Sequence, residues 1–179
     1  FERDCRSLID KYFAMEDPAT VREIGLELWM EAEVGALTLR GIIDRLELDA
    51  DGELVVTDYK TGRAPSGNFE QKSLAGVHFY SFLCEAVFGK RPAKIRLMYL
   101  SSGETIETVP SAQSVKFITT RTTAVWSAVE RACTTGDFRP RQSKLCDYCS
   151  FQQWCPAFGG DPSLAATEAP LKFLAPAAA

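Results

Sequence analysis

The chain has 179 residues, 46% of them hydrophobic and 25% charged, a balance typical of one folded domain and not of a disordered chain or a coiled coil. It has no run of about 18 apolar residues and no basic-then-apolar leader, so we expect a cytoplasmic protein with no membrane partner. Its single histidine excludes zinc sites that need two imidazoles.

The net charge of -4 is unevenly distributed along the chain. The first 53 residues hold 6 Lys and Arg against 14 Asp and Glu, whereas the remainder holds 14 against 10. This asymmetry fits an acidic metal-binding side and a basic side that faces DNA, and it equally fits two solvated faces.

Hydrophobic periodicity predicts an α/β fold in which one helix precedes a three-stranded meander. Leu8, Ile9, Tyr12 and Phe13 have helical spacing, and the following apolar runs alternate as strands do. In chain order, the predicted elements are a helix (3–15), three strands (26–34, 37–48 and 54–59), a helix (72–88), a strand (95–100), an edge strand (105–109) and a long helix (111–133).

Composition divides the chain into three predicted parts. These are a core over 1–145, a Cys-rich segment over 146–158 and an Ala/Pro-rich tail over 159–179. We expect the tail to be loosely held, because the only residues that we expect to dock it are Leu171, Phe173 and Leu174.

The third strand carries two charged residues that we expect to lie side by side. Asp58 and Lys60 project to one face of a strand, while Tyr59 points away. The antiparallel meander brings Asp44 of the preceding strand close to them. Two carboxylates and the Tyr59 carbonyl are the hard oxygen ligands that Mg²⁺ prefers. The alternative is a surface salt bridge between Asp58 and Lys60, with Asp44 and Arg45 as solvated charges.

The whole block resembles the active-site block of RecB-family nucleases in the PD-(D/E)xK superfamily. It comprises Gly41-Ile42-Ile43-Asp44-Arg45, then Asp51-Gly52, then Val55-Val56-Thr57-Asp58-Tyr59-Lys60-Thr61-Gly62. The resemblance implies a restriction-endonuclease-like αβββαβ core, with a mixed sheet flanked by helices. It also implies Mg²⁺- or Mn²⁺-dependent cleavage of DNA phosphodiesters, with Asp44, Asp58 and Lys60 as the catalytic set.

Two further residues enter through this resemblance. Tyr80 occupies the position of a tyrosine that touches substrate or supports the lysine in the family, although Gly76 stands where the family often has Gln. Glu31 on the first strand is either a further metal ligand or an exposed strand carboxylate. We expect His78 to be a satisfied polar residue on its helix.

The resemblance further implies a deoxyribonuclease, specifically an exonuclease acting on single-stranded DNA in repair or recombination. Flexible loops carry the basic residues that we expect to contact phosphates, namely Arg63, Arg139, Arg141 and Lys144. The alternative is a non-catalytic, metal-stapled module that keeps the fold and binds DNA or protein. The sequence identifies no helicase or repair partner.

A cysteine cluster near the C-terminus has metal-ligand spacing. Cys146 and Cys149 are separated by two residues, and Cys155 follows before a proline. This resembles the iron-sulfur motif of RecB-like nucleases, including CRISPR-associated ones, which implies three ligands of a [4Fe-4S] cluster. The fourth ligand is either Cys5 or, as we favour, a residue upstream of a chain that we take to be a fragment, and zinc is the competing metal. Core positions are predicted for the remaining cysteines, Cys84 and Cys133.

Overall fold

The structure is a computed structural model that describes residues 1–35, 37–65 and 68–169, with the side chains of the same ranges apart from 68–77. Its main elements are α1 (Glu2–Met15), β1 (Arg22–Val34), β2 (Leu37–Leu48), β3 (Leu54–Lys60), α2 (Asn68–Phe88), β4 (Lys94–Tyr99), β5 (Glu104–Thr108), α3 (Ala112–Thr135) and α4 (Ala165–Glu168). This order confirms the predicted αβββαβ core. Within the described ranges, no helix is both long enough and apolar enough to cross a membrane.

The strands form one mixed sheet in the order β1-β2-β3-β4-β5. Among the described strands, only β3 and β4 pair in parallel, so the chain must cross over between them, and α2 makes that crossover. The fold is therefore α/β and restriction-endonuclease-like, as predicted, with β5 as the expected edge strand. β3 lies at the centre of the sheet, where it pairs with β2 as far as Thr57 and with β4 as far as Lys60.

Helix α2 packs closely on one face of this sheet because β2 carries a glycine beneath it. A Cβ atom on Gly41 would lie 2.8 Å from Leu83 Cδ1 and 3.1 Å from Phe79 Cε1. Leu83 is fully buried in the core that α2 shares with the sheet. Since α2 also carries Tyr80, this close approach determines where the tyrosine stands.

The β1–β2 hairpin is irregular at the predicted metal ligand Asp44. Core-facing residues of β2 are Leu39 and Ile43 before it and Leu46 after it, so the alternation of faces shifts by one residue. On β1, Glu27 adopts a left-handed φ of 46° directly opposite. Such irregularities redirect side chains, and they are common beside functional sites.

The chain divides into two compact units, the first covering residues 1–127 and the second beginning at Ala128. The second unit contains short 3-10 turns around Trp154, which is 4% exposed and whose indole N–H donates to Glu168 Oε2 over 2.8 Å. The expectation of a loosely held tail is thus wrong up to Ala169, because the Glu168 carboxylate docks it. Leu171, Phe173 and Leu174 lie outside the described residues, and the predicted boundary at residue 145 stays a prediction.

Candidate active site

Asp58 and Lys60 stand together at the carboxyl end of β3. Their side chains lie on the same face of β3 as those of Leu54 and Val56, which are buried in the core against α2. Lys60 Nζ lies 2.5 Å from Asp58 Oδ2, with the carboxylate 5% exposed and the ammonium side chain 44% exposed. Burial lowers the pKa of Lys60, but the hydrogen bond and charge of Asp58 outweigh it and the pKa is raised. The lysine therefore stays protonated at neutral pH.

Where β2 and β3 separate, the side chain of Asp44 accepts a hydrogen bond that a backbone carbonyl of β2 would otherwise accept. The ladder between the two strands ends at Arg45 opposite Thr57, and the next free amide, that of Tyr59, donates to Asp44 Oδ2 over 2.8 Å. The carboxylate is thereby directed towards the end of β3. Burial raises the pKa of Asp58, Lys60 opposes this, and the charge of Asp44 adds to it, so the two carboxylates lie within electrostatic reach of each other.

This arrangement fits a hard divalent cation. The carbonyl of Lys60 accepts a hydrogen bond from the Leu100 amide (2.8 Å), so strand alternation directs the peptide groups of Tyr59 away from β4, towards Asp44. The Tyr59 amide and the Asp44 carboxylate therefore lie on the same side of β3, and ligation of a cation by Asp44, Asp58 and the Tyr59 carbonyl stays a prediction. A cation there would offset both the burial of Asp58 and its repulsion from Asp44.

Tyr80 is brought to the same site from α2. Burial raises the pKa of its phenol, and the charges of Asp58 and Asp44 raise it further. A phenol in such surroundings stays neutral and can donate a hydrogen bond. By contrast, burial lowers the pKa of His78, and its Nδ1 has no hydrogen-bond partner among the described residues. The expectation of a satisfied histidine stays a prediction.

Glu27 is a site residue that the sequence analysis missed. Its charge contributes to the raised pKa of Tyr80, and it lines a cavity together with Asp44. In the sequence, Glu27 is one of several charged residues that alternate with apolar ones along a predicted strand. Its left-handed backbone conformation cannot be seen from the sequence. Glu31, which was considered as a metal ligand, instead pairs with Arg40 at 2.6 Å on the exposed part of β1, so the exposed-carboxylate alternative is correct.

Arg45 is not the solvated charge that the alternative interpretation assumed. It is 2% exposed, with Nη1 2.5 Å from Glu16 Oε1 and Nε 2.7 Å from Glu47 Oε2. Its guanidinium also lies 5.5 Å from the centroid of the Tyr59 ring. Arg45 therefore holds β2 in place through contacts on the face of the sheet opposite the carboxylate site.

The predicted phosphate contacts fall in two units. Arg63 is exposed in the first unit, three positions after Lys60. In the second unit Arg141 and Lys144 are exposed, while Arg139 is 86% exposed and pairs with Asp137 at 2.8 Å. Their contact with DNA stays a prediction, and for Arg139 it would require exchanging one carboxylate partner for a phosphate.

The cysteines Cys146, Cys149 and Cys155 are not gathered around a common point. Across the described ranges, no three His, Cys, Asp or Glu side chains come close enough together to hold a metal. Cys146 Sγ instead accepts the Ser143 amide over 3.4 Å and caps a 3-10 turn, which Cys149 ends.

The other cysteines divide between the core and the surface. Cys84 is fully buried, as predicted, and burial raises its pKa to about 12. Cys133 is exposed, so its predicted core position is wrong, whereas Cys5 is partly exposed on α1.

Comparison with known proteins identifies the family of this chain. The family model for the PD-(D/E)XK nuclease superfamily matches residues 2–156, and the chain belongs to that superfamily. Members of this superfamily generally use divalent metals.

Individual relatives are more distant. The Gene 69 protein of Mycobacterium phage L5 is 28% identical over 136 residues, covering 74% of this chain and 44% of the relative. The Gene 69 protein of Mycobacterium phage D29 is 27% identical over 136 residues, covering 74% and 48%. The chain thus spans about half the length of these curated relatives. The crystal structure of SSO0001 matches with 19% identity and a TM-score of 0.46, covering 84% of this chain and 67% of that one.

Proposed function

We propose that the chain is a divalent-metal-dependent deoxyribonuclease domain that hydrolyses DNA phosphodiester bonds. The observation that supports this best is the convergence of Asp44, Asp58 and Lys60 at the end of β3, in a chain that belongs to a nuclease superfamily. A divalent cation bound there would polarise the phosphodiester and lower the pKa of a bound water.

The protein's own groups have separate tasks in this proposal. Asp44 and Asp58 hold the cation, together with the Tyr59 carbonyl. Lys60, held by Asp58 and kept protonated, offsets the charge that develops on the phosphate oxygens. Tyr80 contributes a neutral hydroxyl that can donate to the substrate or orient the lysine.

The finer part of the proposal is exonuclease action on single-stranded DNA in repair or recombination, with Mg²⁺ or Mn²⁺. It rests on the resemblance of the sequence block to RecB-like nucleases and on the exposed Arg63 close to the site. Arg63 in the first unit, and Arg141 and Lys144 in the second, would bind the strand beyond the reacting phosphate.

The decisive experiment incubates the protein with single- and double-stranded DNA labelled at either end, with Mn²⁺, Mg²⁺ or a chelator. We expect release of short products from single strands only when a divalent cation is present. Lys60→Met and Asp58→Asn should each reduce kcat by at least about a hundredfold, as loss of one transition-state-stabilising group does elsewhere. Melting curves and circular dichroism would verify that the variants are folded.

A matched control is available in the turn between β2 and β3. Asp51 is an exposed aspartate of the same sequence block, outside the carboxylate site, so Asp51→Asn should cleave DNA at the wild-type rate. Binding of DNA without cleavage under every cation condition would favour the non-catalytic module instead. Full activity of Lys60→Met would remove the lysine from the mechanism.

We infer in addition that Cys146, Cys149 and Cys155 supply three ligands of a [4Fe-4S] cluster, which needs one further ligand. The support is their spacing and its resemblance to RecB-like nucleases. Protein prepared without oxygen should be brown, and Cys149→Ser should lower its melting temperature before it affects catalysis. Zinc in place of iron and sulfide would overturn this part alone.

A further inference from the structure

We propose that the cavity beside Asp44 is a binding site for one unpaired nucleobase of the DNA strand whose phosphate lies at the carboxylates. This inference rests on the proposed function and names the part of the substrate that the site would recognise. The cavity has a volume of about 690 Å³, within the roughly 300–1,000 Å³ of typical small-molecule sites.

One side of the cavity is apolar and incompletely covered. Leu8, Ile9 and Tyr12 of α1 line it, together with Leu26 of β1. No residue of α1 is fully buried, and Ile9 and Leu26 are 53% and 63% exposed. The helix therefore presents apolar surface and one aromatic ring to an open space, which is the kind of surface on which a planar base stacks.

Tyr12 is held in position by the elements beneath it. Its ring meets the Tyr59 ring edge to face, with centroids 5.7 Å apart at 87°. Its hydroxyl also accepts a hydrogen bond from Arg45 Nη1 at 3.4 Å. A ring fixed in this way can receive a base with little loss of side-chain entropy.

The charges around the cavity favour a base over a phosphate. The polar lining is acidic, with Glu23, Glu27 and Asp44, and the cationic lining residue, Arg45, is already held by Glu16 and Glu47. A phosphate would be repelled there, whereas a base is neutral. Carboxylates accept hydrogen bonds from exocyclic amino groups, so cytosine and adenine should be preferred over thymine.

Continuity with the carboxylate site identifies the base as part of the same strand. Asp44 lines the cavity and belongs to the carboxylate site, while Tyr59 lines the cavity with its ring on the side of α1 and donates its backbone amide to Asp44. A nucleotide whose phosphate meets Asp44 therefore has its own base, or its neighbour's, within reach of the cavity. A base paired in a duplex could not enter, which would give the domain a preference for single strands or unpaired ends.

The test uses short single strands with phosphorothioate linkages, each carrying 2-aminopurine at a different position. On binding to the wild-type protein, one position should change its fluorescence differently from all others, because that base has left the stack. An abasic site at the same position should weaken binding about fivefold or more, since base–aromatic contacts contribute on that scale. Equal responses at every position would overturn the proposal.

Two tryptophan variants make the test specific to the cavity. Ile9→Trp fills it from α1 and should abolish the position-specific response, and with cleavable DNA it should raise KM for single strands but not for blunt duplexes. Ile24→Trp is the matched control, because Ile24 is similarly exposed (44%) on β1 and does not line the cavity. A wild-type response in Ile9→Trp would overturn the proposal.

The remaining outcomes separate this inference from the proposed function. Absence of cleavage with a retained position-specific response would contradict the nuclease activity and leave the base site standing. Normal cleavage without a position-specific response would contradict the base site and leave the nuclease activity standing. A response that appears only after residues 170–179 are removed would show that the chain itself occupies the cavity, which also overturns the proposal.

Discussion

The two faces of the sheet around β3 carry their charges in opposite ways. On the face of α1, the charges are balanced in a chain of contacts no longer than 3.7 Å, which is buried at Arg45 and Glu47 and partly exposed elsewhere. It joins Glu16, Glu47 and Glu107 to Arg45, Arg96 and Lys94. On the face of α2, among the side chains that the structure describes, Lys60 pairs with Asp58, and the charge of Asp44 raises the pKa of both groups. The described groups of the balanced face offset one another, whereas those of the other face leave a negative charge that a cation would offset.

The difference has a structural origin in two adjacent residues of β2. Arg45 points to the balanced face and Asp44 to the carboxylate site, and the shift in strand alternation lies just before them, because Ile43 also faces the core on the side of α2. The ion pairs hold the strand rigidly at the point where it must present Asp44. A catalytic site needs such support, because a shift of its groups by about 1 Å is enough to reduce activity.

The largest expected effect on stability comes from removing the centre of the balanced face. Arg45→Met leaves Glu16 and Glu47 without their main partner in a buried environment, which should cost about 3–5 kcal/mol of unfolding free energy. Urea denaturation measures this. Arg40→Met is the control, because the pair with Glu31 is about half exposed and screened by solvent, so its loss should cost at most about 1 kcal/mol. Equal costs would contradict the distinction between the two pairs.

A smaller effect is expected from the contact that places α2 over the carboxylate site. In Gly41→Ala, the new methyl group meets Leu83 and Phe79, so we expect a loss of about 1–3 kcal/mol from overpacking. Because α2 carries Tyr80, DNA cleavage should also fall even at temperatures where the variant is fully folded. Gly62→Ala is the stability control, since nothing lies within 4 Å of its added Cβ. An unchanged melting temperature for Gly41→Ala would show that α2 moves aside easily.

The third prediction concerns the acid limit of the balanced face. Burial raises the pKa of Glu16, but the hydrogen bond and charge of Arg45 outweigh it and hold the pKa below its ordinary 4.5. A carboxyl whose pKa is lowered by folding stabilises the folded state at pH values above its ordinary pKa. This stabilisation is lost as the pH falls through the lowered pKa.

Glu16→Gln should therefore be less stable than wild type by about 1–2 kcal/mol at neutral pH, as for a lost charged hydrogen bond. The difference should shrink progressively below pH 4.5, the ordinary pKa of the carboxyl. Thermal unfolding across this range measures the difference, with the exposed Glu33→Gln as the control. A pH-independent difference would mean that packing, not charge, explains the loss.

The sequence was sufficient for the order of elements and for the pairing of Asp58 with Lys60, because periodicity and strand alternation are local properties. It could not reveal that Arg45 is buried, since its partner Glu16 is 29 positions away, directly after α1. Glu27 was missed for the same reason, because only the folded hairpin places it opposite Asp44. Spacing alone also suggested a gathered cysteine cluster, whereas the described fold uses Cys146 to cap a turn.

The smallest expected effect has the opposite sign and tests the imbalance of the carboxylate site directly. Burial and the charge of Asp44 raise the pKa of Asp58 despite Lys60, so the folded state favours the protonated form. The stabilisation from a raised pKa is present at low pH and is lost as pH rises through that pKa, so ionised Asp58 weakens the metal-free fold at neutral pH.

Asp58→Asn, with the isosteric uncharged side chain, should therefore melt a few degrees higher than wild type at neutral pH without divalent cations. The gain should vanish at acidic pH, where Asp58 is itself protonated. Adding Mn²⁺ should stabilise the wild type and not the variant, because the cation then relieves the repulsion that Asn has already removed. Asp51→Asn, in the exposed turn, should show neither effect. A lower melting temperature for Asp58→Asn at neutral pH would mean that the ion pair with Lys60 outweighs burial and repulsion, and that the carboxylate site is already balanced without a metal.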